Sequence, residues 1–293
     1  MIFAVIVVGL LAHGGSPQTV PQLEGVAQVA VAVNADVGPE PTPWLGFGAN
    51  HNRLMREHSD ADWYVALNSD VDLSAQQLHT LIDQADADGY SLAAPLRREP
   101  WGVQGSPGAP LPTPGYFWRS TVRIGRPIRR RLSEKQPSKA MVETTWIGGC
   151  CMAIRGDLMR ELSFDERFFM YFEDVDLCQR GRDLGARVGV CTTVTIDHAT
   201  GWRRKDPLIA RRGVEYARSA LLYAKAHGYS PRIMRAAVLT WASSRAVMPG
   251  RGASARAASK AIARGMASPA LPGLAELASA HNKRYEFSAP TGT

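Results

Sequence analysis

Residues 164–180 read FDERFFMYFEDVDLCQR, with Asp165, Glu166, Glu173, Asp174 and Asp176 set among five aromatic residues. Aromatic side chains belong mainly to interiors, and an ionised carboxylate is costly to bury without a partner. A pocket wall that carries a catalytic base would bring the two together, the base taking a proton from a bound group. An amphipathic helix that gathers acids at the positive end of its dipole would produce the same pattern. Two other polar sites follow strand-like runs. Asn68, Asp70 and Asp72 close "WYVALNSDVDL" (63–73), and His198 closes "RVGVCTTVTIDH" (187–198).

An alternation of strands and helices must position these residues. Residues 2–8 and 26–33, rich in Val and Ala, read as buried strands, 63–73 as a third, and 90–96 as a fourth. Ser74 and Gln77 fit a capping box, which predicts a helix with Leu78, Leu81, Ile82 and Ala85 on its apolar face. "VETTWIGGCCMAIR" (142–155) reads as a strand interrupted by Gly148 and Gly149, and paired glycines suggest close approach of a ligand or another backbone. A helix follows from about Arg155, and a second helical face of Leu177, Cys178, Gly181 and Leu184 ends near Gly185. Residues 207–228 fit a further helix with Val214, Ala217, Leu221 and Leu222 inward. Such alternation predicts an α/β fold on a mostly parallel sheet, with ligands beyond the carboxyl ends of the strands.

The 293 residues suffice for a full core, and 45% apolar with 21% charged content describes an ordinary globular protein. The net charge of +7 is uneven: from Tyr229 onward nine Lys/Arg face only Glu276 and Glu286, which leaves residues 1–228 neutral. Two parts are therefore expected, a body over 1–228 and a basic extension over 229–293, helical or partly disordered. Residues 230–265 carry seven Lys/Arg and no acid, interspersed with Ile233, Met234, Val238, Leu239 and Trp241. That composition suits contact with an anionic membrane surface. The bases lack interleaved stacking aromatics, which argues against nucleic acid as a partner.

Within the body, residues 97–142 are rich in Pro and Gly and carry ten Lys/Arg against Glu99 and Glu134. They read as a long basic loop, either a flap over a phosphate-bearing substrate or a solvated insertion. The apolar N-terminal run has no basic start and falls well short of the roughly 20 residues that span a bilayer, so it reads as a first strand. The four cysteines include the adjacent Cys150 and Cys151 and show no zinc spacing. Reduced thiols and a cytoplasmic protein, peripheral at the inner face of the membrane, are the expectation.

The segments "GFGANHNRLM", "YVALNSDVDL", "WIGGCCMAIR", "FDERFFMYFEDVDLCQRG" and "DHATGW", in this order over roughly residues 26–228, resemble the family 2 glycosyltransferases of the GT-A fold. The likeness is to the rhamnosyltransferase-like and galactofuranosyltransferase-like members that build bacterial surface polysaccharides. It implies an inverting transfer of a sugar, rhamnose as the first guess, from a nucleotide-diphosphate donor to a glycan or lipid-linked acceptor in cell-envelope synthesis. Asp174 matches the base of the ED motif, with Glu173 beside it. Asp70 matches the acid that closes the DxD-type motif and Asn68 its first place. The resemblance thus implies Mg²⁺ or Mn²⁺ at Asp70, joined by His198 and by Asp72, the carboxylates being hard oxygen ligands suited to an ion that bridges a diphosphate. Trp146, Gly148 and Gly149 match the segment that contacts the sugars. Asp165 and Glu166 read as braces of the loop, and Asp176 as a structural partner for Arg180 or Arg182.

One departure lies at the start. Roughly a dozen and a half residues, including Pro17 and Pro21, separate the first two candidate strands, too few for the usual helical crossover. Asp36, after the second strand, is the nearest match to the acid that contacts the nucleotide base. A non-catalytic sugar-binding or scaffold protein with a degenerate donor site is the alternative this departure supports. A metal-dependent phosphoesterase would need a denser His/Asp cluster.

Overall fold

The computed structural model describes residues 4–12, 20–23, 25–33, 43–99, 102–104, 110–122, 139–198, 207–249, 252–268 and 270–288. The first half of the chain runs β1 (Ile6–Ala12), α1 (Val20–Leu23), β2 (Gln28–Val33), α2 (Phe47–Glu57), β3 (Trp63–Asn68), β4 (Val71–Asp72), α3 (Ala75–Ala87), β5 (Leu92–Glu99), β6 (Gly102–Gln104) and α4 (Pro114–Val122). The second half runs β7 (Met141–Glu143), β8 (Cys151–Arg155), α5 (Gly156–Leu162), α6 (Glu173–Asp183), β9 (Val188–His198), α7 (Ile209–Ala226), α8 (Pro231–Val247), α9 (Ala253–Ala267) and α10 (Leu274–Ser288).

One mixed sheet forms in the order β2-β1-β3-β8-β5-β9-β4, with β6 added to β5 and β7 to β9. β1 runs parallel to β2 and β3, and β5 parallel to β9, while β8 is antiparallel to both of its neighbours. The five long strands β2, β1, β3, β5 and β9 therefore share one direction. Their carboxyl ends deliver Asn68, Arg97 and His198 to one edge. The register of β5 on β9 shifts between Pro95 and Leu96, where a residue without an N–H cannot continue the ladder.

Local chemistry sets the element ends. Ser74 and Gln77 form the expected reciprocal box at the start of α3. Gly185, with φ 88°, closes α6: its own N–H reaches the Arg182 carbonyl, and the Ala186 N–H reaches that of Gly181. The run 142–155, expected as one strand, divides into β7 and β8, because residues 144–150 fold away from the sheet as a turn toward α6. Between β1 and β2 the described part of the crossover is the single turn α1, consistent with the short spacing in the sequence.

The sheet is covered on both faces. Leu78, Leu81 and Ile82 of α3 pack with Val8, Val65 and Leu67, and Leu54, Leu158 and Leu177 pack with Val7, Tyr64 and Ile154. A third cluster joins Phe117 of α4, Phe168 and Phe172 of the loop before α6, Val175 of α6, Ala217 and Tyr223 of α7, Met234 and Val238 of α8, and Ile262 and Met266 of α9. The extension after residue 228 thus shares a core with the acidic loop. Met234 and Val238, expected to face lipid, are fully buried in that core.

Helix α9 crosses α7 at closest approach through glycines: a Cβ on Gly213 would lie 2.2 Å from the Ala261 carbonyl oxygen, and one on Gly265 2.3 Å from that of Gly213. Glu215 of α7 accepts the N–H groups of Leu274 and Ala275 and so caps α10. Farther along α10, the Asn282 amide clamps both backbone groups of Trp44 (2.7 and 3.0 Å), and His281 stacks on the Trp44 ring. All four cysteines are free thiols. Among the described residues no helix is long and apolar enough to cross a membrane.

Candidate active site

The acidic stretch forms a loop, residues 163–172, that ends in the first turn of α6. Ser163, Tyr171 and Phe172 all have positive φ, at 51°, 71° and 68°. Such backbone persists in residues with side chains only when surrounding contacts over-determine it. Here they do. Asn52 of α2 accepts the Phe164 N–H (2.8 Å) and donates to the Phe164 carbonyl (2.9 Å). The Phe47 N–H donates to the Phe169 carbonyl, and Ser219 of α7 donates to that of Met170. Asp165 braces the turn through Arg167, and Glu166 accepts from Asn52.

The loop delivers Asp174 to the turn between β7 and β8. The Gly149 N–H donates to Asp174 Oδ2 at 3.0 Å, and the Val175 N–H to Oδ1 at 2.8 Å. A Cβ on Gly149 would stand 3.2 Å from the Phe47 ring and 3.6 Å from Asp174 Cβ. A Cβ on Gly148 would stand 3.0 Å from an Arg97 nitrogen and 3.9 Å from Asp174 Oδ2. The paired glycines let arginine, carboxylate and turn meet. Burial pushes the Asp174 carboxyl up, opposed by the Gly149 and Val175 N–H groups and by the Arg97 charge. Burial, then the charge of Asp174, pushes Glu173 well above the ordinary carboxylate range. Glu173 Oε2 has no hydrogen-bond partner among the described residues. Glu173 therefore keeps its proton more readily than Asp174.

The second half of the site lies at the ends of β3 and β9. The Asn68 N–H donates to the Cys150 carbonyl at 2.9 Å, which ties the end of β3 to the same glycine turn. Asp70 lies in the two-residue connection to β4, and β4 pairs antiparallel with β9, Val71 opposite His198 and Asp72 opposite Asp197. His198 Nε2 stands 3.6 Å from Asp70 Oδ1. The alternation of side chains along a strand puts Asp72 with Asp197 on the face away from His198. Among the described residues no three His, Cys, Asp or Glu side chains gather closely enough to hold a metal by themselves. One carboxylate and one imidazole fit a divalent ion that takes its remaining ligands from phosphate oxygens and water, the carboxylate being the ligand that suits Mg²⁺ or Mn²⁺.

No family model matches the chain. In sequence it is similar to the N-acetylglucosaminyl-diphospho-decaprenol L-rhamnosyltransferase of Mycobacterium tuberculosis, 29% identical over 68% of this chain and 68% of that protein. It is also similar to a low-salt glycan biosynthesis hexosyltransferase of Haloferax volcanii, 26% identical over 60% of each. In structure it resembles GalNAc-T7, crystallised with UDP, GalNAc and Mn²⁺, with a TM-score of 0.51 and 12% identity over 99% of this chain and 58% of that one. The chain has the GT-A fold, and glycosyl transfer is the activity that its similar proteins are named for.

On this fold the structure gathers Asp174, Glu173, Gly148 and Gly149 into one group, and Asp70 and His198 into a second joined to it through Asn68 and Cys150. Trp146 stands at the start of the turn, its indole N–H donated to the Pro110 carbonyl. Asp36 lies outside the described residues, as does the segment after His198. Asp176 pairs with Arg180 at 2.7 Å, as its i,i+4 spacing suggests, and also with His227 at 2.8 Å. Sequence reasoning passed over Arg97, counted there only among the bases of a loop. Its position at the carboxyl end of a strand was the available signal. It also passed over Asn52, whose one visible sign was a polar residue on the inward side of an amphipathic helix.

Proposed function

We propose that this protein is a glycosyltransferase that moves a sugar, rhamnose as first assignment, from a nucleotide-diphosphate donor to a hydroxyl of a lipid-linked or polysaccharide acceptor, with inversion. The observation that carries the reading is the Asp174 carboxylate, sunk in an aromatic wall yet aimed by the Gly149 N–H at a turn shared with the end of β3. A base so placed takes the proton of the acceptor hydroxyl while that oxygen attacks the anomeric carbon. The bond to the diphosphate breaks on the opposite side, so the anomeric centre inverts. Burial raises the proton affinity of Asp174, while Gly149 and Arg97 keep it ionisable, the balance a general base near neutral pH requires. Asp70 and His198 would hold the divalent ion, which neutralises charge on the departing diphosphate. Asp72, turned to the other face, is left out of that set. Relatives whose names specify rhamnosyl and hexosyl transfer, one to a diphospho-decaprenol-linked acceptor, support the donor and acceptor classes. Free buried cysteines are consistent with a cytoplasmic setting.

The test is Asp174→Asn, which keeps size and removes the proton acceptor. A positioned base is worth about 10²–10⁴-fold, so kcat should fall by that factor while donor affinity holds within a few-fold. A mild loss in Asp174→Asn together with a severe one in Glu173→Gln would move the base by one residue. The short spacing between β1 and β2 in the sequence favours a second reading, a sugar-binding protein without turnover. Binding of nucleotide-diphosphate sugars with no transfer by the parent to any acceptor would establish it.

A further inference from the structure

Between residues 230 and 265 the chain carries seven Lys/Arg and no acid, and two of them serve the fold through contacts within it. Arg235 donates from Nε and Nη2 to the Met266 and Ala267 carbonyls and so closes the end of α9. Arg245 lies over the Trp241 ring and reaches the Ser120 carbonyl. Among the bases of α9, Lys260 and Arg264 are exposed and Arg256 is half-buried. Arg256, Lys260 and Arg264 are spaced four apart along α9, so they form one stripe. The buried side of that helix is Ser259, Ala261, Ile262, Gly265 and Met266. At 100° per residue the stripe is centred almost opposite that side. Only alanines, Ala253, Ala257 and Ala267, share the outward face. Exposed aliphatics flank the helix in the chain: Val247 is 77% exposed just before it and Leu271 49% just after it.

We infer that the outward face of α9 is a docking surface for an anionic lipid membrane. A basic stripe on a small-residue background can lie on a charged plane. No aromatic stands on the outward face to stack a base, so single-stranded nucleic acid lacks its usual platform. The surface is not remote from the chemistry. α9 packs on α7 at Gly213 and Gly265, and α7 holds the loop before Asp174 through Ser219. Within the basic stretch 230–265 marked by the sequence, Met234 and Val238 are core residues, and the proposed docking face is confined to α9.

The experiment is co-sedimentation of the full chain with vesicles of phosphatidylcholine alone and with about one third phosphatidylglycerol. Each base near such a surface contributes about fivefold, so removing three should weaken partitioning by on the order of 10²-fold. The parent should pellet with anionic vesicles only and release as salt rises. The triple variant R256Q/K260Q/R264Q should remain in the supernatant, with its melting temperature and its turnover of a water-soluble acceptor unchanged. Arg264→Lys should bind like the parent, which covers the case of a triple variant that folds poorly. Equal pelleting of parent and triple variant overturns the inference, as does equal binding to neutral vesicles. Binding of a single-stranded oligonucleotide by the parent, with none to vesicles, would assign the face to nucleic acid. The readout is binding without turnover, so it stands or falls apart from the catalytic proposal.

Discussion

Replacing Asp176 separates the framework of the site from its chemistry. The carboxylate is 1% exposed. It receives Arg180 Nε at 2.7 Å and His227 Nε2 at 2.8 Å, while the other Arg180 nitrogens donate to the Leu162 and Ser163 carbonyls. Asp176→Ala leaves a guanidinium that is 27% exposed and a buried imidazole without their shared acceptor. Removing one partner of a buried pair costs about 3–5 kcal/mol, and the partial exposure of Arg180 places the expected loss near the lower bound, about 3 kcal/mol. Asp176→Asn keeps one acceptor oxygen for Arg180, while its Nδ2–H₂ can only donate toward His227 Nε2, and it should lose about 1–2 kcal/mol. Asp176→Ala combined with Arg180→Leu should recover part of the loss, because no uncompensated charge remains. Urea denaturation measures all three. Activity per folded molecule should stay within about tenfold of the parent, since the side chain points away from Asp174. A loss below about 1 kcal/mol in Asp176→Ala, or an activity loss far exceeding the loss of stability, would refute the assignment.

Four further outcomes are expected. Asn52→Ala strands the buried N–H and carbonyl of Phe164 and should cost about 2–4 kcal/mol, with a rise in acceptor KM as the loop loosens; urea melts and initial rates check both. The folded chain holds a proton on Glu173 that the unfolded chain would release, so this group lowers stability as pH rises from the ordinary carboxylate range toward its raised value. Glu173→Gln should therefore melt higher than the parent at pH 8, the difference closing toward pH 4, and lower melting throughout would contradict the stated burial. Arg97→Met removes a charge that lowers the Asp174 proton affinity, so the acidic limb of kcat/KM should move to higher pH, while Arg97→Lys should leave it nearly in place. Asp70→Ala should remove the dependence of donor binding on Mn²⁺, seen by calorimetry with and without EDTA, at little cost to the melting temperature.

What the sequence revealed was local. Ser74 and Gln77 sit three apart and announce their helix, and Asp176 finds Arg180 one helical turn on, where i,i+4 spacing puts it. The end of β9 could be read from its alternation, and His198 with it. What could not be read depends on partners distant in sequence. His227 lies 51 positions from Asp176, and Asn52 lies 112 from Phe164. Hydrophobic period gives no strand direction, so the reversal of β8 between β3 and β5 was invisible. The basic composition of α8 and α9 was plain, but not which residues turn inward, because Gly213 and Gly265 set that crossing and read as ordinary small residues.

The shared core of loop and C-terminal helices bears on how the chain acquires its active form. On the ribosome, Phe168, Phe172 and Val175 emerge about 60 positions before Met234, the first of the α8 residues that cover them. At 5–20 residues per second the uncovered interval lasts about 3–12 s, long compared with hydrophobic collapse. During it the sheet can form, since its strands end at His198, while the aromatic wall around Asp174 stays open to water and to other chains. The nascent chain therefore offers a chaperone an apolar patch around Asp174, which is covered only after the strands of the sheet have emerged.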